Sequence, residues 1–210
     1  PGPHPALLFV SGCSGFTPHE APLHYGRVAD EFAARGYVVL FVDYLGARGR
    51  ERCGGAVRPS EVAGDILAAA AYARTRPFIR PSEIDVIGWS RGGSGVLAMI
   101  ADLPAGAPPP VRAAVAYYPE CYVATPWAVR IPLLLLLAGQ DELSSTPACQ
   151  ELVHRLGESQ AIQVKVYPQA RHAFDVPDLP ALLRRPGGAI GHDPAAAAAA
   201  REEVTRFLAR

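Results

Sequence analysis

The chain has 210 residues, half of them hydrophobic, with 20 basic and 20 acidic side chains and no formal net charge. That length and apolar fraction suit one well-cored domain, and the charge balance gives no electrostatic case for nucleic acid or an anionic membrane as partner. In chain order, Ala6-Leu7-Leu8-Phe9-Val10 is a buried-strand run that ends in the Gly-rich loop Ser11-Gly12-Cys13-Ser14-Gly15. Residues 23–35 read as a helix stopped by Gly36, and 37–42 as a second apolar strand ending at Asp43. Ser60 is expected to cap an Ala-rich helix reaching about Thr75. A strand at 84–88 runs into a helix that ends near Asp102, and 104–110 is a Pro-rich surface loop. Strands are predicted at 112–117, 132–138 and 162–167, with a helix at 146–157 between the last two. The leucine run at 133–137 is far too short to span a bilayer and belongs to a buried strand. Asp193-Pro194 opens a final helix, with Asp at the N-cap and Pro at the first helical position.

Six apolar, mostly non-alternating strands interleaved with helices predict an α/β fold. The expected architecture is one domain over 1–210, with a mostly parallel central sheet and helices on both faces. Sites in such sheets lie beyond the carboxyl ends of the strands. The polar residues just after Val10, Val42, Gly88, Tyr117, Ala138 and Tyr167 are therefore the ones to weigh.

Gly88-Trp89-Ser90-Arg91-Gly92-Gly93 lies between the strand at 84–88 and the following helix. Strand, tight turn and helix, with Ser at the apex and Gly two places to either side, is the grammar of a nucleophile elbow. The small neighbours relieve clashes around a strained apex, and the turn aims a helix N-terminus at the Ser. Asp141 follows a later strand in Ala138-Gly139-Gln140-Asp141, and His172 follows the last in Arg171-His172-Ala173-Phe174. A hydroxyl needs a base to become a nucleophile near neutral pH, His suits that task, and a carboxylate fixes the His tautomer. Ser90, His172 and Asp141 are thus the candidate catalytic triad. Rival readings make Asp141 a turn residue or helix cap, and offer Glu120 or Asp175 as the third member. Among rivals to His172, His24 and His154 fall in predicted helices as surface or packing residues. His192 is a further rival, and His19, in the loop near the first strand end, is a candidate for lining the pocket. The oxyanion hole is expected from the backbone N–H groups of Arg91 and Cys13.

Together these three motifs resemble the dienelactone hydrolase family of α/β-hydrolases, and the likeness covers nearly the whole chain. It takes in the loop at 11–20 and the Gly36-Tyr37-Val38-Val39 lead into a strand ending at Asp43. The resemblance implies the α/β-hydrolase fold, whose usual first two strands are either missing before Pro5 or unseen. The family's founding enzymes carry a Cys nucleophile where this chain has Ser90, which implies esterase-like rather than thiolate chemistry. Many relatives carry His where this chain has Ser11. Relatives of this kind are often exported, which implies a periplasmic or secreted location, with the cytoplasm as the alternative. Export in turn makes disulfides worth expecting among Cys13, Cys53, Cys121 and Cys149, whose number alone fits three full pairings or four buried thiols. The pairs expected are Cys13–Cys53 and Cys121–Cys149, each joining loops after strands; the rival is a free Cys13 thiol beside Ser90.

The expected function is cleavage of carboxylic esters or lactones through an acyl-enzyme. The alternatives are a polyester or cutinase-like hydrolase, a small peptidase resembling the prolyl oligopeptidase catalytic domain, and a silent binding protein. The expected partner is a small-molecule ester, and oligomeric state is open. Trp89, Arg91, Tyr44, Tyr118 and Phe174 are candidates for substrate binding, with Trp127 as a further wall residue. Arg48, Arg50 and Arg91 are candidates for a substrate carboxylate; the alternative is that they are solvated surface arginines. No cofactor or metal is expected: the His residues are scattered, the Cys spacings do not match a zinc site, and the elbow lacks the ending of a P-loop.

Overall fold

A computed structural model describes residues 2–16, 22–54, 56–157 and 161–209. Their six-stranded sheet is made of β1 (His4–Val10), β2 (Val38–Phe41), β3 (Ile79–Trp89), β4 (Ala113–Tyr117), β5 (Leu133–Ala138) and β6 (Ile162–Tyr167). Its order is β2-β1-β3-β4-β5-β6, and every pairing is parallel. The helices are α1 (Pro22–Ala33), α2 (Pro59–Arg74), α3 (Arg91–Ala101), α4 (Thr146–Leu156) and α5 (Pro194–Leu208). A short antiparallel hairpin, β7 (Leu183–Arg185) with β8 (Gly188–Ile190), stands apart from the sheet.

The two-residue period of the strands feeds two separate cores. Leu133, Leu135 and Leu137 of β5 pack with Val62 and Ile66 of α2, Val96 and Leu97 of α3, and Leu152 of α4. Leu134, Leu136 and Ala138 face the other way, toward Phe32 of α1 and Val204 and Phe207 of α5. An unbroken leucine run is what a strand buried on both faces requires. No helix among the described residues is long and apolar enough to cross a membrane.

Several elements differ from the sequence reading. Strand β3 begins at Ile79 rather than 84, and its pairing with β1 jumps from His4–Ile79 to Ala6–Ile84. Pro81 sits in that irregular stretch, where a missing ladder donor is tolerated. Helix α2 is capped two residues earlier than expected: Arg58 is the N-cap, Pro59 takes the first helical position, and Glu61 reaches back to the Arg58 N–H at 2.8 Å. Pro is preorganised for that first position, so it displaces Ser60 from the cap. The hairpin has no counterpart among the predicted elements.

Both expected disulfides are present. Cys13–Cys53 has its Cα atoms 4.8 Å apart across 40 positions, and Cys121–Cys149 4.9 Å apart across 28. The first ties the loop after β1 to the loop before α2; the second ties the segment after β4 to α4. Loop-closure entropy gives each bridge an upper limit of about 4 kcal/mol. Thiol titration of the unreduced protein in guanidinium should therefore find no free thiol, and prior reduction should lower the unfolding midpoint. Four titratable thiols without reduction would contradict both bridges.

Candidate active site

The elbow explains its glycines. A Cβ on Gly88 would lie 2.5 Å from the Gly92 backbone, and one on Gly92 would land on the Val10 carbonyl. Strand, turn and helix can approach this closely only with hydrogen at both positions. At the apex Ser90 has φ 50° and ψ −115°, a sparsely populated conformation for a residue with a side chain. The turn is locked from outside: the Ser90 N–H donates to the Tyr117 carbonyl at 2.9 Å, and the Ser90 carbonyl accepts from the Ser94 N–H at 2.9 Å and hydroxyl at 3.1 Å.

The loops after β5 and β6 are zipped together. Gly139 N–H donates to the Tyr167 carbonyl at 2.8 Å and Gln140 N–H to the Ala170 carbonyl at 2.9 Å. This fixes Asp141 beside His172. Asp141 Oδ2 is 2.8 Å from His172 Nδ1, and His172 Nε2 is 2.9 Å from Ser90 Oγ. Asp141 Oδ1 meanwhile accepts from the N–H groups of Leu143 and Ser144, both at 2.8 Å. The turn contacts and the His172 contact, alternatives in the sequence reading, coexist on the two oxygens of one carboxylate. The rival carboxylates lie elsewhere: Glu120 pairs with Arg91 Nη1 at 3.0 Å, and Asp175 bonds His24 at 3.0 Å. Of the rival histidines, His154 is exposed and His192 hydrogen-bonds the Phe174 carbonyl at 2.9 Å. His24 lies in α1 but is buried against Asp175, a structural role that its helical position alone did not specify. His19 lies outside the described residues.

Ser90 and His172 open onto a cavity of about 390 Å³, which Asp141 does not line. Gly12, Cys13 and Ser90 form one side, Trp89 and Tyr118 another, and Leu143, Val176, Leu179 and Ile190 an apolar wall. Gly12 is close enough that a Cβ on it would lie 3.4 Å from that of Ser90. Its N–H is committed to the Tyr25 hydroxyl at 3.0 Å, so Cys13 supplies the next amide along the loop.

Trp89 and Tyr118 thus line the cavity as expected, but three other candidates do not. Tyr44 is buried behind the loop after β1, where its hydroxyl donates to the Gly12 carbonyl at 3.0 Å; burial then pushes its phenol far above the ordinary value. Phe174 is fully buried among Tyr117, Tyr118 and Tyr167. The Arg91 side chain turns away to Glu120, leaving only its backbone near Ser90. Arg48 is engaged with Asp65 at 2.7 Å, Arg50 is outside the lining, and Trp127 is buried with its indole N–H on the Ala124 carbonyl. A position next to a strand end does not fix which way a side chain points, and burial favoured the inward direction for these aromatics.

Two arginines that the sequence reading did not single out, Arg52 and Arg185, do line the cavity. Arg52 precedes Cys53, so the Cys13–Cys53 bridge draws it to the loop after β1. Arg185 and Ile190 arrive on the β7–β8 hairpin, which bridges back to the site between Ile190 and His172. The Pro186-Gly187-Gly188 turn between short apolar runs was the available sign of that hairpin.

Comparison with protein-family models matches the dienelactone hydrolase family over residues 1–210. A comparison with curated protein sequences finds no match. Among solved structures, a Klebsiella pneumoniae protein assigned as a dienelactone hydrolase superposes with a TM-score of 0.77 at 18% identity, covering 100% of this chain and 88% of that one. A dienelactone hydrolase-like promiscuous phosphotriesterase from metagenomic libraries gives 0.75 at 18% identity, covering 100% and 87%. Esterase 2 of Thermogutta terrifontis, phosphoramylated by tabun, gives 0.70 at 17% identity, covering 99% and 83%. At these identities the likeness shown is that of the α/β-hydrolase fold.

Proposed function

The chain belongs to the dienelactone hydrolase family and is a carboxylic ester hydrolase, and we propose that it works through an acyl-enzyme on Ser90, with His172 as base and Asp141 as its orienting carboxylate. The observation that carries this reading is the pair of hydrogen bonds on the His172 ring, 2.8 Å to Asp141 and 2.9 Å to Ser90. Ser90 Oγ attacks the ester carbonyl carbon while its proton passes to His172 Nε2. The tetrahedral oxyanion faces the N–H groups of Cys13 and Arg91, each worth about 10²–10³-fold in rate for a donor of this kind. His172 returns the proton to the departing alkoxide. Water then attacks the acyl carbon, gives its proton to His172, and the carboxylic acid leaves as Ser90 Oγ regains it.

Size and lining narrow the substrate. A cavity of about 390 Å³ with a mostly apolar lining favours short esters or lactones over polymers. Arg52 and Arg185 replace Arg91 as the groups suited to a substrate carboxylate at the otherwise apolar wall. The whole chain acts as one α/β-hydrolase domain on a small molecule. Two disulfides in so short a chain favour an oxidising compartment, periplasmic or extracellular.

The decisive experiment reacts the protein with a fluorophosphonate and with p-nitrophenyl esters that differ in chain length and in a terminal carboxylate. A single adduct should map to Ser90, and turnover should fall once the ester outgrows the cavity. Turnover without an adduct on Ser90 would refute the mechanism, and equal loss on charged and neutral esters in Arg185→Ala would refute carboxylate recognition.

A further inference from the structure

Beneath the cavity three side chains converge on a buried carboxylate that the proton transfers do not use. Asp175 Oδ2 accepts from the Trp89 indole N–H at 2.8 Å and meets His24 Nε2 at 3.0 Å; its Oδ1 accepts from the Tyr118 hydroxyl at 2.6 Å. Helix α1 supplies His24, the end of β3 supplies Trp89, the end of β4 is followed by Tyr118, and Asp175 lies three residues past His172. Burial alone would raise the Asp175 carboxyl, but His24 and the hydrogen bonds from Tyr118 and Trp89 outweigh it and hold it below the usual carboxylate value. Burial and the Asp175 charge together push the Tyr118 phenol well above its ordinary value, which keeps it a donor.

Backbone strain is concentrated on the same partners. Among the described residues the non-glycine positions with positive φ are Ser90 at 50°, Tyr118 at 37° and Ala173 at 61°. Ser90 follows Trp89, Tyr118 bonds Asp175 itself, and Ala173 lies between His172 and Asp175. Conformations of this kind persist only where the surroundings over-determine them. The Tyr118 ring also packs against the His172 imidazole, with centroids 4.5 Å apart.

We infer that Asp175 is a positioning residue that fastens the three strained segments carrying Ser90, Tyr118 and His172 into one geometry, acting on His172 through the Tyr118 ring. This rests on the Ser90 and His172 roles proposed above. Its loss leaves the nucleophile and base chemically intact and displaces them, so the effect belongs on kcat rather than KM.

The test measures kcat, KM and thermal unfolding of Tyr118→Phe and Asp175→Asn on p-nitrophenyl acetate, with Ile79→Ala, buried at the amino-terminal end of β3, as a remote core substitution that also lowers stability. Tyr118→Phe keeps the ring and removes only the bond to Asp175. Each site variant should lose about 10- to 100-fold in kcat with KM within about threefold, and still form the fluorophosphonate adduct on Ser90, only more slowly. Ile79→Ala should keep the parental kcat. A folded Tyr118→Phe with kcat within twofold of the parent overturns the inference, as does a loss confined to KM or an equal kcat loss in Ile79→Ala. Should Asp175→Asn fail to fold, Tyr118→Phe decides alone. Absence of the Ser90 adduct in the parent protein itself is a failure of the triad reading, and so is told apart from these outcomes.

Discussion

Ser90→Ala is expected to lower kcat/KM for a p-nitrophenyl ester by about 10⁴- to 10⁶-fold, roughly 5–8 kcal/mol of transition-state stabilisation. Only the Oγ is lost. The bonds that hold the turn run through the Ser90 backbone, to Tyr117 and Ser94, so the elbow keeps its shape. His172 keeps its bond to Asp141 at 2.8 Å. What disappears is the atom that becomes covalently bonded, and no neighbour replaces it: the nearby Ser94 hydroxyl is committed to the Ser90 carbonyl and accepts the Glu120 N–H at 3.0 Å. The residual rate comes from the oxyanion donors and the cavity acting on water, which sets the floor. Steady-state kinetics and the circular dichroism spectrum of the variant check both halves of this argument. A well-folded Ser90→Ala protein retaining more than a tenth of the activity would remove Ser90 from the mechanism.

The meeting of Ser90, Asp141 and His172 was legible because each follows a strand and the strands announced themselves as apolar runs. Strand ends in a parallel sheet converge on one edge, so Ser90, Asp141 and His172 needed no contact information to be grouped. Side-chain direction beyond a strand end was not legible. Tyr44 follows a strand end and Phe174 lies two residues past His172, yet a large ring gains more by entering a core than by lining a wet cavity. Arg91 was misjudged for a related reason: its backbone belongs to the elbow, while its side chain follows a charge partner, Glu120, that lies 29 residues away. Arg185 was missed because a three-residue strand on each side of a Pro-Gly-Gly turn carries too little periodicity to stand out. The Asp175 cluster combines residues from four chain segments, and only the folded chain brings them together.

Asp141→Asn should cost about 10³- to 10⁴-fold in kcat with little change in KM or melting temperature. The reason lies in how the carboxylate divides its work. Asp141 Oδ1 accepts two backbone N–H groups, from Leu143 and Ser144, each at 2.8 Å. An Asn side chain must leave its carbonyl oxygen there, since turning the amide over would set an NH₂ group against two donors. Its NH₂ is then aimed at His172 Nδ1, where Oδ2 now stands at 2.8 Å. Nδ1 becomes the acceptor, the neutral ring carries its proton on Nε2, and Nε2 faces Ser90 Oγ at 2.9 Å as a donor instead of a base. The imidazolium formed during attack also loses its counter-charge. Because the turn around 141–144 keeps both hydrogen bonds, stability is spared. Asp141→Ala removes those bonds as well, so it should melt earlier than Asp141→Asn while losing no less activity. Kinetics and melting curves of the two variants separate the roles. An Asn variant with more than a tenth of parental kcat would show that Asp141 serves the turn alone.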